Sequence, residues 1–440
     1  MLRLGLRPEK SFVAACAAFV LAFAAWSLGA QPLPLAKPEE VGMSSQKLAK
    51  IGQVLRKEVE DGSFRGAVVM VARKGKLVYQ EAVGMQTAAT KMSPDSVFRI
   101  YSMTKPLVSV AAMMLVEDGT IQLTDPVSKY LPGFDKLQVS VQGKNDAGQP
   151  TYMLVPQDRQ MTVQDLLRHT SGLAYGEITQ NAPVKEGYEK IGVYTKERDY
   201  DARNLAPADQ IAKMATVPLA FHPGTIWHYS LASDMLGRVV ERASGKRLGD
   251  FLQERLFGPL KMRDTAFWVP AAKMPRLAES LEKDRFAGRP FPLVDVSSQP
   301  MNDSGGAGAV STASDYLRFC QMLMNGGRLD GARVMSRTTV KLMTSDHLGS
   351  FIIQNPQPGE LLLGTKGYSF GLGFAVRSAD GVAGVPGSAG EFMWAGYAGT
   401  YFWVDPKEQL TAVFMSQAAS PQRAYFRKLV KQLAYQAITD

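Results

Sequence analysis

Strand-forming residues gather toward the two ends of this chain and leave its middle to helices, and that distribution limits the folds open to it. Near the start, GAVVMVARKGKLVYQEAVGM holds two β-rich runs on either side of Lys74-Gly75, the pattern of a hairpin. Near the end, YSFGLGFAV, EFMWAGYAGTYFWVDP and QLTAVFMSQ are three more such runs, the last two parted by the turn signal Asp405-Pro406. A helical pattern lies outside each group. Leu48, Ile51, Val54, Leu55 and Val59 recur at helical spacing behind an N-cap at Ser44 or Ser45, with Gly62 as a stop, and YFRKLVKQLAYQAI follows the last strand. From about Met103 to Phe319 helices prevail: PLVSVAAMMLVEDG, TVQDLLRHTSG with a Thr162-x-x-Asp165 capping box, PADQIAKMA, ASDMLGRVVERASG and STASDYLRFCQMLMNGG. The expected fold is α+β. One antiparallel sheet is assembled from both chain ends (residues 44–100 and 365–440) and flanked by terminal helices, with a large, mostly helical lobe (residues 101–364) inserted between its halves. The cleft between sheet and helical lobe is the expected substrate site.

Ahead of this part, Arg3, Arg7 and Lys10 precede SFVAACAAFVLAFAAWSLGA, and the Pro-rich QPLPLAKPEE follows. A basic start, an apolar run and small residues read as a secretory signal peptide over residues 1–30, cut near Gly29 or Ala30 and exporting the remainder, residues 31–440, to the periplasm or the medium. The alternative is an uncleaved membrane anchor, since the run approaches bilayer-spanning length. The formal charge of +9 on 440 residues is a mild bias, and the bases are scattered among acids, as in EKIGVYTKERDYDAR. Nucleic acid is therefore not expected as a partner. Cys16 and Cys320 allow no disulfide framework or CxxC metal site, and Cys320 in YLRFCQMLM reads as a small core residue.

The chemistry centres on FRIYSMTKP. Ser-x-x-Lys occurs three times, at Ser44–Lys47, Ser102–Lys105 and Ser280–Lys283. The first sits at a helix start and reads as a cap with a solvated lysine; the third lies in the charge-rich LAESLEKDRF. Ser102 instead follows the β-like SVFRIY and opens a helix whose Leu107, Val110, Ala111, Met114 and Leu115 form one buried stripe. Its own N–H belongs to the unpaired donors of a helix start, aimed at an oxyanion formed on attack, and the i, i+3 spacing brings Lys105 near the hydroxyl. A free lysine titrates near about 10.4 and becomes a base at neutral pH only in a desolvated or electropositive setting. On the motif alone, a nucleophile with its base and a cap with a surface charge stand level. Tyr229-Ser230-Leu231 precedes another helix, where the phenol could relay protons, and the small residues of Trp394-Ala395-Gly396 would let backbone N–H groups approach a ligand.

Together and in this order, FRIYSMTKP, LLRHTSGL, PGTIWHYS, GGAGAVSTASDYLRF, YSFGLGFAV and WAGYAGTYFWVDP resemble the serine β-lactamase-related hydrolases, and most of all the family VIII carboxylesterases, which share the class C β-lactamase and penicillin-binding-protein fold. The resemblance implies an acyl-accepting nucleophile at Ser102, a general-base pair of Lys105 and Tyr229, and an oxyanion hole from the backbone N–H groups of Ser102 and Tyr397, with Trp394 and Gly396 beside the substrate. It implies no metal or cofactor, and a small-molecule ester or amide as substrate. β-Lactamases of this fold usually carry Tyr-x-Asn and Lys-Thr-Gly where this chain has Tyr229-Ser230-Leu231 and Trp394-Ala395-Gly396. Leu231 cannot hydrogen-bond a lactam side chain, and an apolar Trp394 wall in place of a cation suits an uncharged ester. The competing possibilities are a β-lactamase or D-amino-acid peptidase, a transacylase, and a non-catalytic acyl-binding sensor. Pro386-Gly387-Ser388-Ala389-Gly390 lacks the first glycine of a Gly-x-Ser-x-Gly elbow and reads as a turn. Thr344-Ser345-Asp346-His347 has histidine where a Ser-Asp-Asn motif needs asparagine, and His169 reads as a structural polar residue near the cleft.

Overall fold

The computed structural model describes residues 32–194 and 201–440, so the leader at residues 1–30, Cys16 included, lies outside the described residues. Helix α1 (Ser45–Glu60) starts where Ser44 Oγ accepts the Lys47 N–H at 3.2 Å, and it turns Leu48, Ile51 and Leu55 inward. Strands β1 (Gly66–Arg73) and β2 (Lys76–Gly84) form the expected hairpin. Lys74 (φ 49°) and Gly75 (φ 77°) both take the left-handed conformation that suits a two-residue hairpin turn. The inserted part contains α2 (Thr104–Glu117), α3 (Ala232–Ser244) and α4 (Ala313–Met324). The chain then returns through β3 (Tyr368–Phe370), β4 (Ala375–Arg377), β5 (Phe392–Ala395), β6 (Tyr401–Asp405) and β7 (Leu410–Ser416), and α5 (Arg423–Tyr435) follows.

Seven strands make one sheet in the order β3-β4-β5-β6-β7-β1-β2, with every pairing antiparallel. Its two halves join at β1 and β7, in register from Ala67 opposite Ser416 to Arg73 opposite Leu410. On β6, Phe402 meets Tyr316 of α4 at 5.1 Å between ring centroids, while its neighbour Trp403 stacks toward Tyr435 of α5 at 6.4 Å. Adjacent strand residues point to opposite faces, so α4 and α5 cover opposite sides of the sheet. With both faces covered, every residue of β6 and β7 is buried, which is why these runs read as continuously apolar rather than alternating. Cys320 is a free, fully buried thiol in α4.

Two details differ from the expectation. The three terminal β-rich runs yield five strands, because EFMWAGYAGTYFWVDP folds into the hairpin of β5 and β6 and YSFGLGFAV bends back on itself between β3 and β4. A Cβ on Gly371 would lie 2.2 Å from the Met343 carbonyl oxygen, and Gly373 sits at φ 96°, so both glycines are required where the run turns. The helical part also contains an unforeseen hairpin, Gln138–Lys144 paired with Pro150–Pro156. Most of its residues are exposed on both faces, so no alternation marked it in the sequence.

The last helix is tied to the sheet by a buried ionic cluster. Lys431 Nζ lies 2.7 Å from Glu391 Oε2, Arg377 Nη1 lies 3.6 Å from Glu391 Oε1, and the Tyr435 hydroxyl lies 2.7 Å from Asp405 Oδ2 and 3.0 Å from Glu391 Oε2. Lys431 and Glu391 are both fully buried, so removing one charge leaves the other without its closest counter-ion. Lys431→Met should lower the unfolding free energy by about 3–5 kcal/mol, read from urea melts, whereas a loss below about 1 kcal/mol would show that the pair adds nothing beyond its packing.

Candidate active site

The strand Phe98–Arg99 pairs with Val310–Ser311, and the Ile100 N–H bonds the Ala309 carbonyl at 3.0 Å, so the segment entering α2 is held by the glycine-rich loop before α4. Tyr101 then takes φ 44°, an uncommon conformation for a bulky residue that its surroundings must impose. Its hydroxyl accepts the Val294 N–H at 3.0 Å, and its ring packs 5.6 Å from that of Tyr397. Ser102 follows in a 3₁₀ turn, Tyr101–Met103, two residues before the first residue of α2. Thr104 secures the turn, donating to Tyr101 O at 2.6 Å and accepting from the Ala309 N–H at 3.0 Å.

Three groups expected to act together do meet. Ser102 Oγ lies 2.6 Å from the Tyr229 hydroxyl and 3.1 Å from Lys105 Nζ. Lys105 is 1 % exposed, and its amine also donates to Tyr175 Oη at 3.1 Å and to the Gly306 carbonyl at 2.8 Å, while lying 4.7 Å above the centre of the Tyr229 ring. All three partners are neutral oxygens. Ser44, by contrast, is the cap of α1, and Ser280 lies on a separate segment whose carbonyl accepts from Arg65 at 2.8 Å.

Tyr175 and Gly306 were missed from the sequence. Tyr175 lies just beyond LLRHTSGL and Gly306 within GGAGAV, and nothing in either local pattern links them to Lys105 across 70 and 201 residues. His169 does not touch Ser102. Its ring stands 5.2 Å from that of Tyr229 and 5.5 Å from that of Phe370, and Nδ1 lies 3.2 Å from Ser230 Oγ. Burial first, and then the charge of Lys105, hold its pKa well below the ordinary histidine value, leaving a neutral prop behind Tyr229.

Trp394, expected to wall the substrate site, does not line the cavity. It is fully buried, its ring 5.5 Å from Tyr229 and 5.3 Å from Phe370, because that part of β5 faces the packed interior behind the phenol. The residues after it reach the cavity instead. A Cβ on Gly396 would lie 2.3 Å from the Ile100 carbonyl, so only glycine lets the β5–β6 turn come this close to the nucleophile turn. Leu231 is likewise buried, at the start of α3.

The cavity beside Ser102 measures about 610 Å³ and combines apolar residues such as Ile178, Phe291 and Leu293 with the guanidinium-bearing Arg289, Arg423 and Arg427. Arg423 lies 5.4 Å over the Tyr397 ring. Arg427 donates to Gly396 O at 2.5 Å and Leu362 O at 3.0 Å, and burial followed by the charge of Arg423 pulls its pKa down to about 9. Two cations of α5 thus line the cavity, although sequence order had placed that helix with the outer covering of the sheet.

The family model described as Beta-lactamase matches residues 51–436. An uncharacterized protein of Mycobacterium tuberculosis is 34 % identical over 82 % of this chain and 88 % of its own length. Esterase EstB of Burkholderia gladioli is 29 % identical over 84 % of this chain and 90 % of its own. Among solved structures, EstCE1, described as a hydrolase with promiscuous acyltransferase activity, superposes with a TM-score of 0.71 at 25 % identity, covering 89 % of this chain and 99 % of that one. The site geometry predicts that a fluorophosphonate probe will attach to Ser102 and to neither Ser44 nor Ser280. Mass spectrometry of the labelled peptides checks this, and label elsewhere in the Ser102→Ala variant would contradict it.

Proposed function

The chain belongs to the beta-lactamase family, and from that premise we propose that it hydrolyses carboxylic esters of small molecules through a covalent acyl-serine intermediate. The observation that carries this reading is the convergence of Ser102 Oγ on Tyr229 Oη at 2.6 Å and on Lys105 Nζ at 3.1 Å at the edge of a cavity. In the proposed cycle Ser102 Oγ attacks the ester carbonyl carbon while its proton passes to the Lys105–Tyr229 pair. The oxyanion then forms against the backbone N–H groups of Ser102 and Tyr397, donors of a kind worth about 10²–10³ in rate each. The pair returns the proton to the leaving alkoxide, and water repeats the sequence on the acyl-enzyme to release the acid.

Two further features support an ester over a lactam. Leu231 is buried and offers no side-chain donor or acceptor, and Trp394 leaves the strand beside the oxyanion position without a cation of its own. A second reading, transfer of the acyl group to an alcohol, is favoured by the size of the cavity, about 610 Å³, and by the acyltransferase activity named for EstCE1. Export is proposed as well, supported by Arg3, Arg7 and Lys10 ahead of the apolar run; among the described residues no helix is long and apolar enough to cross a membrane.

A short-chain p-nitrophenyl ester should be turned over at least about a hundredfold faster, as kcat/KM, than a chromogenic cephalosporin; the reverse order would make the chain a β-lactamase. Ser102→Ala should reduce ester turnover by about a thousandfold or more with the melting temperature preserved, and activity retained in that variant would dismiss the acyl-serine mechanism. Added primary alcohol should raise p-nitrophenol release and yield a new ester if transfer competes with hydrolysis.

A further inference from the structure

The glycine-rich GGAGAV segment contributes one atom to the site already described, the Gly306 carbonyl that accepts from Lys105 at 2.8 Å. The N–H of the same residue, part of the preceding peptide group, is held by Asp234, third residue of α3. Asp234 Oδ1 accepts the Gly306 N–H at 3.2 Å and the Ser304 hydroxyl at 2.7 Å. Gly306 thus lies between a buried carboxylate and a buried amine, its N–H toward the first and its C=O toward the second. Asp234 is 1 % exposed, and its Oδ2 has no hydrogen-bond partner among the described residues. A carboxylate half-unpaired in the core is costly unless a cation answers it.

The glycines record how close this approach is. A Cβ on Gly306 would lie 2.2 Å from Asp234 Oδ2, and one on Gly305 would lie 2.4 Å from the Ser233 carbonyl. Larger residues would drive the loop off the start of α3 and carry the Gly306 carbonyl away from Lys105.

We propose that Asp234 is a positioning residue for the base, holding Gly306 by its N–H so that the carbonyl of that residue fixes Lys105 against Ser102, and supplying the buried counter-charge that Lys105 meets when it takes up the serine proton. The inference rests on the acyl-serine reading of Ser102, Lys105 and Tyr229. In the step concerned the Oγ–H bond breaks, the proton adds to the neutral Lys105 amine, and the Oγ–carbonyl bond forms. The new ammonium then has the Asp234 charge on the other side of Gly306. The charged groups acting on Asp234 are Lys105 from α2 and, one turn further along α3, Arg238; Lys105 is faced in addition by Tyr175, Tyr229 and His169. Burial raises the Asp234 pKa, and the charge of Lys105 is the largest single influence opposing that rise.

Asp234→Asn keeps an oxygen for the Gly306 N–H and removes the charge. Its plateau kcat/KM for a p-nitrophenyl ester should fall by on the order of tenfold, and the acidic limb of its pH profile should move about one unit lower, because the ammonium form of Lys105 loses its counter-charge. A purely structural Asp234 would lower the melting temperature and leave the limb in place, and that result overturns the proposal. Should Asp234→Asn fail to fold, thermal melts of Lys105→Met give the answer without any activity. Removing the cation leaves Asp234 uncompensated and its folded-state pKa further raised, and a raised carboxylate contributes stability at low pH that is lost as pH rises. The melting temperature of Lys105→Met should therefore fall progressively behind the wild type as pH rises above the ordinary carboxylate range. A difference that is flat with pH overturns the coupling. Absence of fluorophosphonate label at Ser102 in the wild type would instead sink the acyl-serine reading, and the Lys105→Met melts would still test the Asp234–Lys105 pair.

Discussion

The structure depends on one pairing, β1 against β7. Ala67 to Arg73 align with Ser416 to Leu410, so the sheet closes only when the two ends of the chain find each other. Everything between β2 and β3 is an excursion whose ends are pinned by that ladder. The pairing is reinforced at its rim, where Arg73 reaches the carbonyls of Val41 and Gly42 and lies 2.5 Å from Asp440. Long-range closure of this kind has a high entropic cost, which the burial of β6 and β7 on both faces must offset.

The closure also brings the site together. Ser102 comes from the turn before α2 and Lys105 from the first turn of that helix, Tyr175 and His169 from the loops after the capping box at Thr162, and Tyr229 and Asp234 from the start of α3. Gly306 belongs to the loop before α4, and Gly396 and Tyr397 to the β5–β6 turn. Each piece is fixed by hydrogen bonds to its neighbours rather than by its own secondary structure. The Gly306 N–H is held by Asp234, the Tyr101 carbonyl by Thr104, and the Gly396 carbonyl by Arg427. Such support matters because acyl transfer demands reacting atoms and donors held within a fraction of an ångström. The positive φ of Tyr101 is maintained by the same surroundings, its hydroxyl tied to Val294 and its ring set on Tyr397.

Electrostatics divide the site in two. Around Lys105 every hydrogen-bond acceptor is neutral, and the carboxylate that answers its charge stands behind a peptide group. Along the cavity, guanidinium groups from α5 and from the segment around Arg289 stand among apolar residues. The neutral tryptophan where a lactamase of this fold would place a cation therefore does not make the whole cavity uncharged.

Much of the architecture was legible in the chain. Caps at Ser44 and Thr162, the Lys74-Gly75 turn and the apolar periodicities of α1 to α5 are local signals, set by contacts between residues a few positions apart. Ser102, Lys105 and Tyr229 were legible as well, because a helix start following a β run, a lysine three residues on and a tyrosine ahead of a second helix are each local, and their order matched a family. The splitting of the terminal β runs at Gly371 and Gly373, the exposed hairpin at Gln138–Lys144, the retreat of Trp394 behind Tyr229, and the roles of Tyr175, Gly306, Asp234 and Arg427 were not. Each depends on atoms brought together from distant parts of the chain, as with the Met343 carbonyl beside Gly371 or Gly306 between Asp234 and Lys105. Local sequence determined which residues could carry the chemistry and which elements would hold them. The tertiary structure alone decided what surrounds them, because burial and counter-charge are properties of the assembled interior and leave no pattern along the chain.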